Sequence, residues 1–219
     1  MKLTFPVVVV NLKNYKESTN NQARKIAKSF ADTKAIICVN ALDLKECKKI
    51  NKNCFAQHVD AVTYGGQTGH ILPEVLQQMK VTGTLLNHSE KRIPFENIKK
   101  AITLCKEHNI YTIVCTQTAA ESAKIAKLGP DCIAIEPPEL IGGDISVTSA
   151  DPKIVSNTVK KVHAVNPNIP VLCGAGVKNK DDVSKALDLG AKGVLVASGV
   201  VKAKSPKKAV LDLLAGLKK

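Results

Sequence analysis

A single carboxylate, Glu136, stands inside the segment 132–143, which reads CIAIEPPELIGG. The four apolar residues before it have the length and character of a strand buried on both faces, so Glu136 is predicted where that strand leaves the core. Two prolines stiffen the chain directly after it, and Gly142 with Gly143 frees the backbone further on. A carboxylate in this position can take a proton from a substrate, and the segment after it has the composition of a movable lid. Taken alone, the segment fits a glutamate at the start of an ordinary surface loop more readily.

Three other polar side chains are of types that assist such a proton transfer. Lys13 follows the first apolar run of the sequence, and His88 and Glu90 follow the fourth. Removing a weakly acidic proton next to a carbonyl requires a base on one side and stabilisation of negative charge on the other. Glu136 can supply the base, and an imidazole with an ammonium group can supply the stabilisation. Each residue alone has an ordinary explanation, as a lysine at a strand end or a hydrogen-bonded loop histidine.

The elements that must position these residues are short apolar runs that alternate with amphipathic stretches. The runs with the composition of buried strands are residues 7–12, 35–39, 54–57, 84–87, 111–116, 132–136, 171–174 and 194–197. The stretches with helical periodicity are residues 22–31, 42–51, 72–80, 95–108, 119–128, 152–166, 181–189 and 206–217. Strict alternation of buried strands and helices predicts parallel βα units.

Residues at the helix boundaries support these elements. Helix starts are predicted from a capping box or from an N-cap residue followed by proline, and helix ends from glycine. The residues concerned are Thr118 with Glu121, Asp151 with Pro152, Ser205 with Pro206, Gly129 and Gly190.

The number and length of the units decide between two architectures. Dividing 219 residues by eight gives about 27 residues for each unit, which is short for a barrel that usually has about 250 residues. An open doubly wound sheet is the alternative, but its glycine-rich phosphate turn is missing after the first strand, where the sequence reads NLKNYK. We therefore predict a single α/β domain over residues 1–219, a closed (β/α)8 barrel with short helices and loops.

In such a barrel the chemistry belongs at the carboxyl ends of the strands. The polar residues named above lie at predicted strand ends, and so does Asn11. Glycine-containing segments follow the seventh and eighth strands, at residues 174–176 and 197–199. They resemble the phosphate cradle that backbone N–H groups often form at this place, although glycine after a strand is also common in plain turns.

The net charge of +13 favours an anionic partner, whether a nucleic acid, a membrane surface or a phosphorylated metabolite. Aromatic residues make up only 3% of the chain, and tryptophan is absent, so platforms for stacking nucleotide bases are scarce. The lysines are also spread over the helical stretches rather than collected in one block. These features indicate a solvated, lysine-rich surface and no binding of nucleic acid.

The longest apolar run has five residues, 35–39, far below the roughly 20 that a membrane span needs. The apolar start of the chain lacks the small-residue cleavage pattern of a signal peptide. Seven cysteines without a C-x-x-C pair fit neither a disulfide framework nor a structural zinc site, and several lie inside apolar runs. We therefore predict a cytoplasmic protein with reduced core cysteines and no contact with a membrane.

Over its whole length the sequence resembles the triosephosphate isomerase family, in particular its compact archaeal branch. The motifs that carry the resemblance are NLK at 11–13, AQHVD at 56–60, TGHI at 68–71, NHSEKR at 87–92, EPPELIG at 136–142, LCGAGV at 172–177 and LVASGVV at 195–201. NHSEKR and EPPELIG, in this order and spacing, are highly specific. CGAGV and VASG are shared more widely among phosphate-binding barrels.

The resemblance implies a TIM-barrel isomerase of glycolysis and gluconeogenesis that interconverts dihydroxyacetone phosphate and D-glyceraldehyde 3-phosphate through an enediolate. It implies no metal and no organic cofactor. Glu136 would be the base, and His88 would polarise the carbonyl. Lys13 would stabilise the enediolate and the phosphate, with Asn11 orienting the substrate, and Glu90 would hydrogen-bond within the site.

The resemblance also implies how the phosphate and the lid are arranged. The residues whose backbone N–H groups would hold the phosphate are Ile141, Gly174, Gly176, Ala197 and Ser198. Relatives usually read IGTG at the end of the lid, whereas this chain reads IGGD at residues 141–144. The second glycine loosens the backbone and the aspartate adds negative charge, so we expect the motion of the lid, not the chemistry, to differ.

The segment 60–70 resembles the protruding third loop of the family, in which a threonine, here Thr68, reaches toward the site of a neighbouring subunit. The resemblance therefore implies a homo-oligomer that is at least a dimer. Short barrels of the archaeal branch are often tetramers, and a tetramer is the state we predict.

Two other functions fit parts of the sequence. The nearest is another phosphate-binding barrel, such as an aldolase or a phosphoribosyl-type isomerase. A Schiff-base aldolase would carry a lysine in the late central strands, and the predicted strands five, six and seven contain none. A basic protein that binds nucleic acid through an inactive barrel would lose affinity steeply as salt is raised, without isomerase activity.

Overall fold

The fold is known from a computed structural model, which describes residues 3–137 and 152–218. Within those ranges the chain forms eight strands. They are β1 (Val7–Asn11), β2 (Ile36–Val39), β3 (Cys54–Ala56), β4 (Gly83–Leu86), β5 (Tyr111–Thr116), β6 (Cys132–Ile135), β7 (Val171–Cys173) and β8 (Gly193–Val196). Apart from Tyr111, every strand residue is buried, as the apolar runs predict.

Helices follow the strands. A short 3₁₀ helix, Lys16–Ser18, comes directly after β1. The described α-helices are α1 (Asn21–Phe30), α2 (Ala41–Ile50), α3 (Pro73–Gln78), α4 (Phe95–Glu107), α5 (Ala119–Ala126), α6 (Pro152–Val165), α7 (Lys180–Asp188), α8 (Ser198–Val201) and α9 (Pro206–Ala215).

The strands pair in chain order, all of them parallel, and the sheet closes where β8 pairs with β1. At this closure Val8 lies opposite Val194. The predicted closed (β/α)8 barrel is confirmed, and the open doubly wound sheet is excluded. Because all the strands run in one direction, their carboxyl ends meet at a single rim of the barrel.

Several element boundaries differ from the predicted ones by one or two residues. Strands β1, β3, β4, β6, β7 and β8 each end one residue before the predicted end. At β4 the reason is visible, because Asn87 has a φ of 59°, in the left-handed region that a strand cannot continue through. Helix α3 ends early before Lys80, which has a φ of 58°. Helix α8 was not predicted, since four residues are too few to show a helical period.

Helix α5 begins with a variant of the predicted capping box. The hydroxyl of Thr118 accepts a hydrogen bond from the N–H of Glu121 at 3.1 Å, as predicted. The carboxylate of Glu121, however, accepts from the N–H of Gln117 at 2.7 Å rather than from the N–H of Thr118. Its other oxygen pairs with Arg92. Glu121 thus ties helix α5 to the loop that follows β4.

Three of the remaining boundary predictions are confirmed and one lies outside the described residues. Ser205 caps helix α9 by accepting from the N–H of Lys208, with proline at the first helical position. Gly129 and Gly190 follow helices α5 and α7 with φ values of 65° and 95°. The predicted N-cap Asp151 is outside the ranges that the structure describes.

The core has two layers of buried side chains. One layer fills the inside of the barrel and includes Val9, Phe55 and Leu195. The other lies between the outside of the strands and the helices and includes Phe30 and Leu44. Burial of apolar surface in both layers is the main force that holds the strands in register.

All seven cysteines are buried and free, which confirms that they are core residues. Burial raises the pKa of the Cys47 thiol to about 11 and that of Cys105 to about 12, so both stay protonated at neutral pH. Among the described residues, no helix is long and apolar enough to cross a membrane.

The connection between β3 and α3 is anchored by Asp60. One carboxylate oxygen of Asp60 lies 3.1 Å from Nε2 of His58 and 3.5 Å from Nδ1 of His70. The other oxygen accepts the N–H of Ile71 at 2.7 Å. These contacts join the two ends of the segment that was predicted to protrude, and Thr68 within it is exposed.

His58 should make the stability of this anchor depend on pH. Burial, opposed by Asp60 and assisted by the charge of Lys91, lowers the pKa of His58 below its usual 6.5. The unfolded chain therefore binds the proton more readily, and the free energy of unfolding should fall as the pH drops below about 6.5. Denaturant unfolding between pH 7 and pH 5 measures this loss. His58→Asn should reduce it, and the same change at His163 on helix α6 is the control; an equal pH dependence in both variants would contradict the assignment.

Candidate active site

A cavity of about 600 Å³ opens at the carboxyl rim of the barrel. The described residues that line it are Asn11, Lys13, Tyr15, His88, Glu90, Glu136, Gly174, Ala175, Gly176, Val177, Lys178, Leu195, Val196, Ala197, Ser198 and Gly199. They come from the ends of β1, β4, β6, β7 and β8, so the rule that placed chemistry at strand ends holds here. The lining combines polar and charged side chains with the glycine-containing segments that follow β7 and β8.

Glu136 and His88 form a pair in the lining of the cavity. Oε1 of Glu136 lies 3.1 Å from Nε2 of His88, and both side chains are more than nine-tenths buried. Glu136 is held directly after β6, where its N–H donates to the carbonyl of Thr116 at 2.8 Å. Its second oxygen, Oε2, is buried without a hydrogen-bond partner among the described residues. A buried carboxylate that lines the cavity and has one oxygen without a hydrogen-bond partner can accept a proton.

The loop after β4 fixes the tautomer of His88. Nδ1 of His88 accepts the backbone N–H of Glu90 at 3.2 Å, so the ring proton must be on Nε2. Nε2–H then donates to Glu136 and faces the cavity. Asn87 shapes this loop, because its side chain donates to the carbonyl of Cys115 at 3.0 Å and accepts the N–H of Ile93 at 3.1 Å. The imidazole is therefore presented as a neutral hydrogen-bond donor.

Lys13 enters the same cavity from the loop after β1. Its φ is 50°, a left-handed conformation that is costly for a residue with a side chain and that occurs preferentially at functional sites. Asn11 supports this backbone by accepting the N–H of Lys13 at 3.0 Å, and Gln57 donates to the Lys13 carbonyl at 3.0 Å. Nζ of Lys13 lies 2.8 Å from Oε1 of Glu90. The loop is thus built to hold one ammonium group at the cavity.

Cys115 on β5 lies beside Glu136 inside the barrel. Burial, together with the neighbouring carboxylate, raises the pKa of the Cys115 thiol well above its usual value. The thiol therefore stays protonated and adds no second negative charge next to Glu136.

Gly174, after β7, packs directly against Glu136. Its N–H donates to the carbonyl of Ile135 at 2.9 Å. A Cβ at this position would stand 2.7 Å from Cγ of Glu136 and 2.8 Å from the carbonyl oxygen of Ile135. Both distances are too short for carbon contacts, so a glycine is required for Glu136 to keep its place.

Gly174→Ala should therefore displace Glu136 and lower the rate of the reaction. A shift of about 1 Å in a reacting group can cost about 100-fold in rate, and we expect a loss of that order in steady-state turnover. Inorganic phosphate should still bind, because the N–H of Gly174 is already bonded to Ile135 and the segment after β8 is unchanged. Full turnover in a correctly folded Gly174→Ala protein would show that Glu136 tolerates displacement.

The glycine-containing segments of the cavity lining contain the residues predicted to hold a phosphate. Gly176, in the turn after β7, has a φ of 67°, in the left-handed region that glycine adopts readily. Ala197 precedes helix α8, and its side chain makes no capping hydrogen bond. The helix, which begins at Ser198, therefore has no side-chain N-cap. Backbone N–H groups and small side chains on this wall are suited to an anion.

The structure brings together every predicted site residue that it describes. Asn11, Lys13, His88, Glu90 and Glu136 line the cavity with polar or charged side chains. Gly174, Gly176, Ala197 and Ser198 line the same cavity. The predicted phosphate ligand Ile141 and the lid residues Gly142, Gly143 and Asp144 lie outside the described residues. No group of three or more His, Cys, Asp or Glu side chains in the described ranges could hold a metal ion.

Three further residues take part in the site and were not predicted. Tyr15 and Lys178 line the cavity. Gln57 supports Lys13 and also donates to the carbonyl of Cys38 at 3.2 Å. Gln57 directly follows β3, so the strand-end rule could have found it. Tyr15 and Lys178 lie four and five residues beyond their strands, where sequence alone does not show which side chains turn inward.

A cavity of this composition, at the carboxyl rim of a closed parallel barrel, is typical of (β/α)8-barrel enzymes. A family model described as triosephosphate isomerase matches residues 6–215 of the chain. The chain belongs to the triosephosphate isomerase family.

Individual relatives agree with this assignment. The triosephosphate isomerase of Methanobrevibacter smithii is 45% identical, in an alignment that covers 98% of this chain and 100% of the relative. That of Methanothermus fervidus is 44% identical over 95% of this chain and 97% of the relative. That of Methanocaldococcus jannaschii is 43% identical over 95% of this chain and 98% of the relative. All three are archaeal and nearly equal to this chain in length.

Proposed function

We propose that this protein is a triosephosphate isomerase of glycolysis and gluconeogenesis, which interconverts dihydroxyacetone phosphate and D-glyceraldehyde 3-phosphate. The observation that carries the proposal is the 3.1 Å pair of Glu136 and His88 at the mouth of the barrel. A carboxylate base beside a neutral imidazole donor is the arrangement that proton abstraction next to a carbonyl requires. Family membership supplies the substrate.

Glu136 acts as the base. Its carboxylate takes a proton from C1 of dihydroxyacetone phosphate, and the electron pair of that C–H bond forms the C1–C2 double bond of an enediolate. The π electrons of the C2 carbonyl move onto its oxygen. Glu136 then delivers the proton to C2, while the proton of the C1 hydroxyl is transferred to the oxygen on C2, so that C1 becomes the aldehyde and C2 carries the hydroxyl. Nothing is oxidised or reduced overall, so the residues of the chain can complete the reaction.

His88 stabilises the charge that develops on the oxygen. Its Nε2–H points to Glu136 in the free protein and transfers its hydrogen bond to the substrate oxygen when the substrate enters. Donors aimed at developing negative charge in a site without water are commonly worth a factor of about 100 to 1,000 in rate. The bond from the Glu90 N–H to Nδ1 keeps the proton on the correct nitrogen.

Lys13 and the glycine-containing segments of the cavity hold the substrate. The ammonium group of Lys13 faces the phosphate and the enediolate, Asn11 fixes the backbone of Lys13, and Glu90 hydrogen-bonds within the site. Backbone N–H groups at Gly176, Ala197 and Ser198, with Ile141 of the lid, bind the phosphate oxygens, whereas the N–H of Gly174 is already bonded to Ile135. The reaction needs neither a metal nor an organic cofactor.

A coupled assay tests the proposal directly. The purified protein should convert each triose phosphate into the other, with glycerol 3-phosphate dehydrogenase reporting one direction and glyceraldehyde 3-phosphate dehydrogenase the other. Inorganic phosphate should inhibit competitively, since it occupies the phosphate side of the cavity. Absence of conversion in both directions, by a protein with the expected helix content, would refute the proposal.

The chain is also proposed to act in the cytoplasm as a homo-oligomer, at least a dimer and in the predicted state a tetramer. The exposed segment 60–70, anchored through Asp60, supports contact with a second copy. Light scattering coupled to size-exclusion chromatography gives the mass, which should be four times 23.4 kDa for a tetramer. A mass equal to one chain at micromolar concentration would contradict both states.

A further inference from the structure

We propose that Tyr15 and Lys202 are a positioning pair, which holds the loop of residues 12–18, called here the Lys13 loop, next to the segment that binds phosphate. Nζ of Lys202 lies 4.3 Å from the centre of the Tyr15 ring, in a cation–π contact. Tyr15 lines the cavity two residues after Lys13, whereas Lys202 directly follows helix α8. The inference rests on the proposed function, because it concerns phosphate binding in the same cavity.

The Lys13 loop is fixed by hydrogen bonds toward β2 and β3. The N–H of Leu12 donates to a carbonyl of β2 at 3.0 Å, and Gln57, directly after β3, donates to the carbonyl of Lys13. The hydroxyl of Ser18, which is buried, lies within hydrogen-bond distance of the carbonyls of Leu12 and Tyr15. Strand β1 pairs with β8 as well as with β2. The contact of Tyr15 with Lys202 connects the loop to that second neighbour.

Lys202 is joined through the backbone to the segment after β8. Its N–H donates to the carbonyl of Ser198 at 2.9 Å, and the carbonyl of Ala197 accepts the N–H of Val200 at 3.1 Å. Helix α8 has only four residues, so Lys202 at its end is placed by Ser198 at its start. Ala197 and Ser198 are residues to which the proposed function assigns the phosphate. The cation–π contact therefore joins the phosphate segment to the Lys13 loop.

A phosphate that contacts both Lys13 and Ser198 binds best when the two segments are already in place, because ordering them on binding lowers affinity. A cation–π contact with an exposed lysine is worth a factor of about two to five in an equilibrium constant. Lys202→Met should therefore weaken phosphate binding, and lower kcat/KM for triose phosphate, by that factor. The loss should lie mainly in KM, since a bound phosphate itself holds the two segments together.

A double-mutant cycle tests the pair. Lys202→Met, Tyr15→Leu and the double variant are titrated with inorganic phosphate by NMR and assayed for kcat/KM. Each single variant should lose about two- to fivefold, and the double variant should lose no more than the more affected single variant, because both changes remove the same contact.

Conservative variants and a control show whether the ring and the charge are responsible. Tyr15→Phe keeps the ring and Lys202→Arg keeps the cation, so both should bind phosphate as the wild type does. Lys204→Met removes the same charge from an exposed lysine two residues further on that does not line the cavity. It should leave phosphate binding unchanged.

The outcomes separate this inference from the proposed function. Losses that multiply in the double variant would mean that Tyr15 and Lys202 act separately, which overturns the inference. So would an equal loss in Lys204→Met, a loss in Tyr15→Phe as large as that in Tyr15→Leu, or a wild-type protein that binds no phosphate. If the wild-type protein binds phosphate but has no isomerase activity, the proposed function fails, while the phosphate titrations still decide the role of the pair.

Discussion

Replacing Glu136 with glutamine is expected to lower turnover by ~100- to 10,000-fold, the effect of losing a general base. Glutamine has the size of glutamate but cannot accept the proton from the substrate carbon. The side chain is 6% exposed and already lies against His88 and Gly174, so the amide should fit without rebuilding the cavity. Steady-state assays in both directions measure the loss.

The control for this variant is Glu46→Gln. Glu46 undergoes the same chemical change on the surface of helix α2, where it pairs with Lys49. It should keep full turnover, because a surface ion pair of this kind contributes little. Both variants should bind inorganic phosphate as the wild type does. Near-normal turnover of Glu136→Gln would remove Glu136 from the mechanism.

Lys13→Met is expected to weaken substrate binding and turnover together. The lysine side chain is only 13% exposed and faces the cavity, so its charge acts on the substrate before and during the reaction. Its removal also leaves Glu90 unpaired beside a dianion. Glu90 is 60% exposed, so the loss is that of a contact to a charged group, which costs about 10- to 100-fold, and we expect a loss of that size in kcat/KM.

The affinity for a phosphate-bearing competitive inhibitor separates the two effects of Lys13→Met. It should fall together with kcat, whereas Lys16→Met, which removes an exposed lysine of the 3₁₀ helix, should change neither. An unchanged inhibitor affinity in Lys13→Met would show that the ammonium group does not face the phosphate.

Most of the fold follows from local features of the sequence. Uninterrupted apolar runs such as residues 132–135 have to be buried on both faces, and their alternation with amphipathic stretches leaves few architectures besides a parallel barrel. The residues at which the strands end were predicted less accurately than the architecture. Whether a residue such as Asn87 continues a strand or turns into the left-handed region depends on its bonds to Cys115 and Ile93, which are distant in the sequence.

The members of the site were largely predictable, and their geometry was not. The strand-end rule selects Glu136 and His88, but the 3.1 Å distance between them exists only because the barrel brings the ends of β4 and β6 together. Gly174 shows the same limit. The sequence predicted it as a phosphate ligand, whereas its close contact with Cγ of Glu136 gives a second, steric reason for glycine that only the packed structure reveals.

The central claim is that Glu136 moves a proton between two carbons of the substrate. The most direct test of this claim is the exchange of substrate hydrogen with solvent. Dihydroxyacetone phosphate is incubated with the enzyme in D2O, and the deuterium content at C1 of the remaining substrate and at C2 of the product is followed by NMR. A carboxylate base exchanges its proton with water, so we expect deuterium at both positions, at a rate that Glu136→Gln reduces together with isomerisation. Isomerisation at the full rate with no deuterium in the product would show that hydrogen moves directly between the carbons, and would contradict the account.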